Sequence, residues 1–335
     1  AMAKLVNNGQ EQTPGLKEAV VALLPHVNAQ KYQFNAQSIA NLLWAMAKLV
    51  NNGQEQTPGF KEAVAALLPH VNAQKYQFNA QGIANLLWAM AKLVDNGQEQ
   101  TPGFKEAVAA LLPHVNAQKY QFNAQSIANL LWAMAKLVNN GQEQTPGLKE
   151  AVVALLPHVN AQKYQFNAQS IANLLWAMAK LVNNGQEQTP GFKEAVAALL
   201  PHVNAQKYQF NAQGIANLLW AMAKLVDNGQ EQTPGFKEAV AALLPHVNAQ
   251  KYQFNAQSIA NLLWAMAKLV NNGQEQTPGF KEAVAALLPY VKVKKGQFIP
   301  QHIANLLWAM AKLVDNGQEQ IPELNEAVAA LLPHV

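Results

Sequence analysis

The chain has 335 residues, half of them apolar and only 13% charged, with 24 basic and 20 acidic side chains, a net charge of +4 and no cysteine. Lack of cysteine excludes disulfides, cysteine-ligated metals and thiol chemistry and is compatible with a reducing compartment. No apolar run reaches the roughly 18 residues of a membrane-spanning helix, and no segment has the charged, apolar and cleavage regions of a secretory signal, so the sequence reads as soluble. Every cation is lysine, and the mild positive balance is spread along the chain, which admits a polyanionic partner without demanding one.

The chain opens on AMAKLV, the same letters that follow each tryptophan later on, so it enters within a motif helix and a partial helix is expected over 1–9. Trp44, Trp88, Trp132, Trp176, Trp220, Trp264 and Trp308 then recur every 44 residues. A period of this size marks a solenoid, in which each unit buries its apolar face only against its neighbours. Residues 1–335 are therefore read as one repeat array, cut from a longer one. Residues 1–44 recur unchanged at 133–176, 45–88 at 177–220 and 89–132 at 221–264, which makes the array a three-repeat block duplicated. The carboxy-terminal unit, about 290–335, departs: Tyr290 stands where histidine is usual, VKVKKGQFIP fills 291–300, and His302 follows.

Within one unit, Asn35 is an N-cap and Gly53 suits a left-handed residue after the helix, which places helix A over 36–52. The polar connector 54–56 follows. Thr57 and Pro58 read as N-cap and first position of helix B, whose apolar Phe60, Val64, Leu67 and Leu68 share one face. Pro69 is expected to kink or end helix B, since proline lacks a donor and clashes with the preceding turn. The stretch from His70 to Gln77 then leads to Phe78 and the next helix A.

On a helical wheel, Ile39, Leu42, Leu43, Met46, Leu49 and Val50 occupy one broad side of helix A, with Ala40 and Ala47 beside them. The remaining stripe is polar: Asn41, Lys48 and Asn52, with Ser38 and Ala45 on its edge. A helix apolar over most of its circumference is packed on both flanks, so its polar stripe is expected to line a groove. Stacking the units lines up Asn41, Asn85, Asn129, Asn173, Asn217, Asn261 and Asn305 as candidate base or backbone contacts. It also lines up Lys48, Lys92, Lys136, Lys180, Lys224, Lys268 and Lys312 as candidate phosphate contacts.

One position in this helix varies: Ser38, Gly82, Ser126, Ser170, Gly214, Ser258 and His302, the candidate base-reading series. A second varies near the helix end: Asn51, Asp95, Asn139, Asn183, Asp227, Asn271 and Asp315. Serine goes with asparagine, glycine and histidine with aspartate. Aspartate at a helix carboxy terminus opposes the macrodipole, so its presence suggests a purpose other than stability. The two positions lie about 20 Å apart along the helix, too far to touch one base, which leaves the second as a secondary specificity candidate.

NAQSIANLLWAMAKL, and still more PQHIANLLWAMAKL from Pro300 to Leu313, resembles the signature of octotricopeptide repeats, relatives of the pentatricopeptide repeats. The resemblance covers every unit. It implies helical-hairpin solenoids that bind single-stranded RNA at one nucleotide per unit, with the Ser38 series selecting bases. Family units are shorter than 44 residues, the surplus falling in the NNGQEQTPG connector.

The tryptophans suit either a wedge between units or a stacking platform for bases, and the Asn41 series either base contact or an amide ladder between units. His70 and its copies have no partner at ligand spacing, so no metal site is expected. No nucleophile and base, carboxylate pair or phosphate loop is present, so neither catalysis nor a cofactor is expected. The expected fold is all-α: a right-handed superhelical α-solenoid of two-helix units, monomeric, with helix A on the concave side. The expected partner is single-stranded RNA. The competing reading is a protein- or peptide-binding scaffold of the armadillo or HEAT kind.

Overall fold

The computed structural model describes residues 16–50, 59–95, 97, 101, 103–142, 145–182, 189–229, 233–271, 277, 279–318, 321 and 323–334. The partial helix expected over 1–9, Asn51, Asn52, Gly53, the connector 54–56, Thr57, Pro58 and Asn183 lie outside the described residues. The fold is an all-α solenoid of 44-residue repeats and divides into two compact units, Ala1–His158 and Val159–Val335.

In the first unit the A helices are Ala36–Val50, Ala80–Asp95 and Ala124–Leu137; in the second they are Ala168–Val182, Ala212–Asp227, Ala256–Asn271 and Pro300–Leu313. The B helices are Leu16–Ala29, Phe60–Ala73, Phe104–Ala117 and Leu148–Ala161, then Phe192–Ala205, Phe236–Ala249, Phe280–Val293 and Glu323–Leu331. A 3-10 turn such as Lys75–Gln77 leads from each full-length B helix into the next A helix.

The expected cap starts helix A: Asn123 Oδ1 accepts the Ser126 amide at 2.8 Å, satisfying one of the donors orphaned at a helix start. Past its end, Gly97, Gly141, Gly229 and Gly317 all take φ between +73° and +79°, the left-handed conformation expected of the Gly53 position.

Helix B starts differently from the expectation. The Thr145 carbonyl accepts the Leu148 amide at 3.2 Å across Pro146 and Gly147, and Gly147 has φ +83°. This is a type II turn, with proline presetting the first central residue and glycine supplying the positive φ of the second. The residue before the helix is thus glycine, and Thr and Pro build the turn that aims it. Nor does the internal proline end the helix: Phe60–Ala73 runs through Pro69. The proline ring is exposed, and Ala65, whose carbonyl loses its helical donor, is only half-buried, so water can reach the orphaned acceptor.

Packing follows the apolar pattern. Ile83, Leu86, Leu87, Met90 and Leu93 of helix A and Phe60, Val64, Leu67 and Leu68 of helix B are completely buried. Within each unit, successive A helices pack against one another more extensively than successive B helices. Alanine permits this, since Ala89, Ala91 and Ala133 are fully buried in the seam. Ala89 and Ala133 are copies of Ala45, which the wheel places at the edge of the polar stripe. The neighbouring helix covers that flank, so the stripe is narrower than the wheel implies.

Two substitutions test these starts. Asn123→Ala is expected to lower stability by about 1 kcal/mol through loss of the cap. Gly147→Ala, which forces alanine into a left-handed conformation with its Cβ 3.3 Å from Leu112 Cβ, is expected to lower it by about as much or more. Chemical denaturation of each variant measures both.

Candidate functional site

The amino end of helix A holds the first variable position. Asn35, Asn79, Asn123, Asn167, Asn211 and Asn255 each accept the backbone amide of the residue three further on, namely Ser38, Gly82, Ser126, Ser170, Gly214 and Ser258, at 2.8–2.9 Å. The cap therefore fixes the direction of the variable side chain. A Cβ at Gly82 would stand 3.3 Å from Asn79 Oδ1 and 3.6 Å from the Phe78 ring, so this position looks partly toward its own cap, and the serines are half-buried or, at Ser170, buried. His302 packs edge-on against Phe298 at 6.4 Å, its Nδ1 buried without a hydrogen-bond partner among the described residues, and burial pushes its pKa down.

Between the amino ends of Ala36–Val50 and Ala80–Asp95 lies a groove of about 330 Å³. Gln37, Asn41, Gln81, Gly82 and Asn85 line it with polar groups, over Ala36, Ala40 and Phe78. In this groove Gly82 of the variable series and Asn41 and Asn85 of the asparagine series share one recess between adjacent repeats. Asn85, Asn129, Asn173, Asn217, Asn261 and Asn305 are half-buried, and Asn41 is exposed.

The carboxy-terminal half of helix A carries an arrangement that single-helix reasoning misses. Trp44 and Trp88 have ring centroids 6.4 Å apart at a tilt of 36°, and the spacing persists from Trp88 to Trp132. In the second unit Trp176, Trp220, Trp264 and Trp308 repeat it at 6.3–6.5 Å. Lysines fill the intervals. Lys48 Nζ is 5.5 Å from the Trp44 ring and 4.8 Å from Trp88; Lys92 is 5.8 Å from Trp88 and 4.8 Å from Trp132. Lys180 and Lys224 lie 4.7 Å and 4.6 Å from the tryptophan of the following repeat, and Lys268 lies 5.1 Å from Trp308. The ammoniums of Lys48, Lys92, Lys180, Lys224 and Lys268 thus each sit against the negative faces of two indoles, their own and the next, a contact of about 0.5–2 kcal/mol per ring. Burial pushes the pKa of Lys48, Lys92 and Lys224 down, so these cations are only partly solvated. The signal was in the sequence: tryptophan and lysine four apart share a helix face.

The second variable position ends this column. Asp95 Oδ2 pairs with Lys136 of the following repeat at 2.8 Å, and Asp227 pairs with Lys268 at 3.1 Å. Asp315 instead pairs with Lys312 of its own helix at 3.1 Å. Asn139 and Asn271 are exposed, and Asn271 Oδ1 accepts from Asn316 Nδ2 at 2.7 Å. The position is therefore a junction between repeats, far from the groove holding the first variable position.

A separate edge of each repeat is aromatic. Tyr32, Tyr76, Tyr120, Tyr164, Tyr208 and Tyr252 are between 77% and 81% exposed. Each of the first five meets the histidine of the next repeat edge-on at 5.1–5.2 Å, and Tyr252 meets Tyr290 in the same way at 5.7 Å. Among the described residues no three His, Asp or Glu side chains gather as a cation site, and no helix is long and apolar enough to cross a membrane.

Seven segments of the chain match a family described as a protein of unknown function (DUF1601): residues 27–43, 69–87, 113–131, 159–175, 201–219, 245–263 and 290–307. Each match runs from the end of a B helix through the 3-10 turn and the cap into the first half of helix A, and stops one residue before the tryptophan. The chain is thus similar to that family in tandem, at the 44-residue period. No curated protein matches it.

The histidine edge gives a pH prediction. Burial, reinforced by Lys75, Lys119, Lys163 and Lys207 respectively, holds His114, His158, His202 and His246 below the ordinary imidazole pKa. The unfolded chain then binds protons more readily than the folded one, so stability is full above about pH 6.5 and falls as pH drops from there toward the depressed folded values. Melting is expected at a lower temperature at about pH 5.5 than at about pH 7.5. Replacing the four histidines with tyrosine, as position 290 already has it, is expected to flatten that difference.

Proposed function

We propose that the array binds single-stranded RNA along its A helices, with about one nucleotide per repeat. The observation that carries this reading is the A-helix face itself. It presents cations wedged between the aromatic rings of successive repeats and, two to three helical turns away, a polar recess beside a position that varies from repeat to repeat. Phosphates suit the first and base edges the second. The resemblance to octotricopeptide repeats supports the same assignment. In it, the Lys48 series contacts phosphate, while the Ser38 and Asn41 series face the base. Serine donates or accepts, glycine leaves room for a larger base, and His302 stacks.

Because the lysines are packed against indole faces, engaging a phosphate means turning an ammonium outward by rotation about its long stem, with the indole left to hold the strand. The tryptophans in this reading are both the wedge between repeats and the platform.

Since the variable position runs Ser, Gly, Ser twice and then His, selection from a randomised RNA pool is expected to enrich a site of about seven nucleotides with a repeated triplet followed by a different base. Equal binding of a shuffled RNA would sink the claim of one base per repeat. Binding is expected to weaken steeply with salt, and Lys92→Gln together with Lys224→Gln to flatten the plot of log affinity against log salt by about 0.7 per lysine. A peptide partner with little salt dependence would instead support the scaffold reading.

A further inference from the structure

We infer that Asp95 and Asp227 tune how many phosphates the array engages, each carboxylate occupying the lysine of the following repeat so that a nucleic-acid backbone must displace it. The inference rests on the RNA reading above and gives its second variable position a role other than reading bases.

In the repeat pair with asparagine, Asn271 Oδ1 accepts from Asn316 Nδ2 at 2.7 Å, and Asn316 Nδ2 also donates to the Lys312 carbonyl at 2.7 Å. In the pair with aspartate, Asp95 Oδ1 accepts from Asn140 Nδ2 at 3.3 Å, and Asn140 Nδ2 donates to the Lys136 carbonyl at 2.8 Å. The tie between repeats is the same in both. Aspartate adds a charge, and its second oxygen carries that charge to the Lys136 ammonium at 2.8 Å. Asp227 does the same to Lys268.

Stability does not account for that charge. The four side chains are only 23–27% exposed, so the attraction of each pair is offset by the cost of taking both charges partly out of water, and the carboxylate stands at the unfavourable end of its helix. Neutralising a lysine in the column is the larger consequence. Asp95 also acts on the lysine of its own helix, since its field raises the pKa of Lys92 against the lowering by burial. In the present sequence the paired lysines fall in the repeat that follows Gly82 and in the repeat that follows Gly214. The backbone is thus held less tightly beside the repeats whose recess has the most room, which lets the strand shift to seat a larger base.

The test compares the parent chain with Asp95→Asn/Asp227→Asn, using a fluorescent single-stranded RNA pool of randomised sequence followed by anisotropy over a range of salt. The double variant keeps an acceptor oxygen at both positions, which preserves the bond from Asn140 to position 95, and is expected to bind several-fold more tightly at low salt. Its slope of log affinity against log salt is expected to steepen by about 0.7 for each of the two lysines released. Adding Lys136→Gln to Asp95→Asn is expected to erase that gain, as coupling between the pair requires. A merely structural role would shift melting temperature and leave the salt slope unmoved. Binding by all variants with one common slope overturns the role of the aspartates alone. Absence of binding by parent and variants alike overturns the RNA reading with it.

Discussion

Within each unit the repeats depend on the seam where one A helix lies against the next. The helix is apolar on both flanks and cannot exist in water alone, and it is brought close to its neighbour by alanines that bury no bulk. That closeness sets everything on the surface above it. It places the tryptophans 6.3–6.5 Å apart, near enough for one lysine to serve two rings, and it narrows the polar stripe to the residues that remain over the seam. A bulkier residue at the Ala89 or Ala133 position would open the seam and separate the cations from the rings together.

The two halves of helix A have different characters. The amino half is tied down by an asparagine cap and ends in a recess whose lining differs between repeats. The carboxy half is, within each unit, a column of aromatic rings and cations that ends, among the described residues, in a carboxylate or an amide. The matched family segments cover the first half and stop before the second. What resembles other chains is the cap, the turn and the variable recess, whereas the tryptophan and lysine column lies beyond the matched residues. In the proposed function these halves divide the labour between discrimination and grip.

Most of the fold was legible because the period, the apolar spacing of Ile83, Leu86, Leu87 and Met90, and the Asn and Gly signals at the helix ends are local properties of the letters. The start of helix B was misread because Thr-Pro fits two local structures. Only the positive φ of the following glycine decides between a capped helix and a type II turn. That helix B continues past Pro69 was not legible, because a proline's tolerance depends on which side of the helix faces water, which is a property of the stack. At the site, the residue series were legible but their company was not. Nothing in one repeat says that Lys48 reaches the tryptophan of the next, or that Asp95 answers Lys136, because those contacts join residues about 40 apart in the chain.

One junction bond carries a consequence for how the chain assembles. Gln74, Gln118, Gln206 and Gln250 each donate a side-chain amide to the phenylalanine carbonyl 40 residues earlier, Phe34, Phe78, Phe166 and Phe210. Each of these ties is the same bond, so it does nothing to distinguish a repeat's proper neighbour from another copy. At this bond, order is kept by connectivity: the adjacent repeat arrives first because the loop that must close is shortest. Two chains crowded together face no such kinetic preference, and the same interchangeability that lets the array grow by whole repeats also lets one molecule dock its repeats onto another.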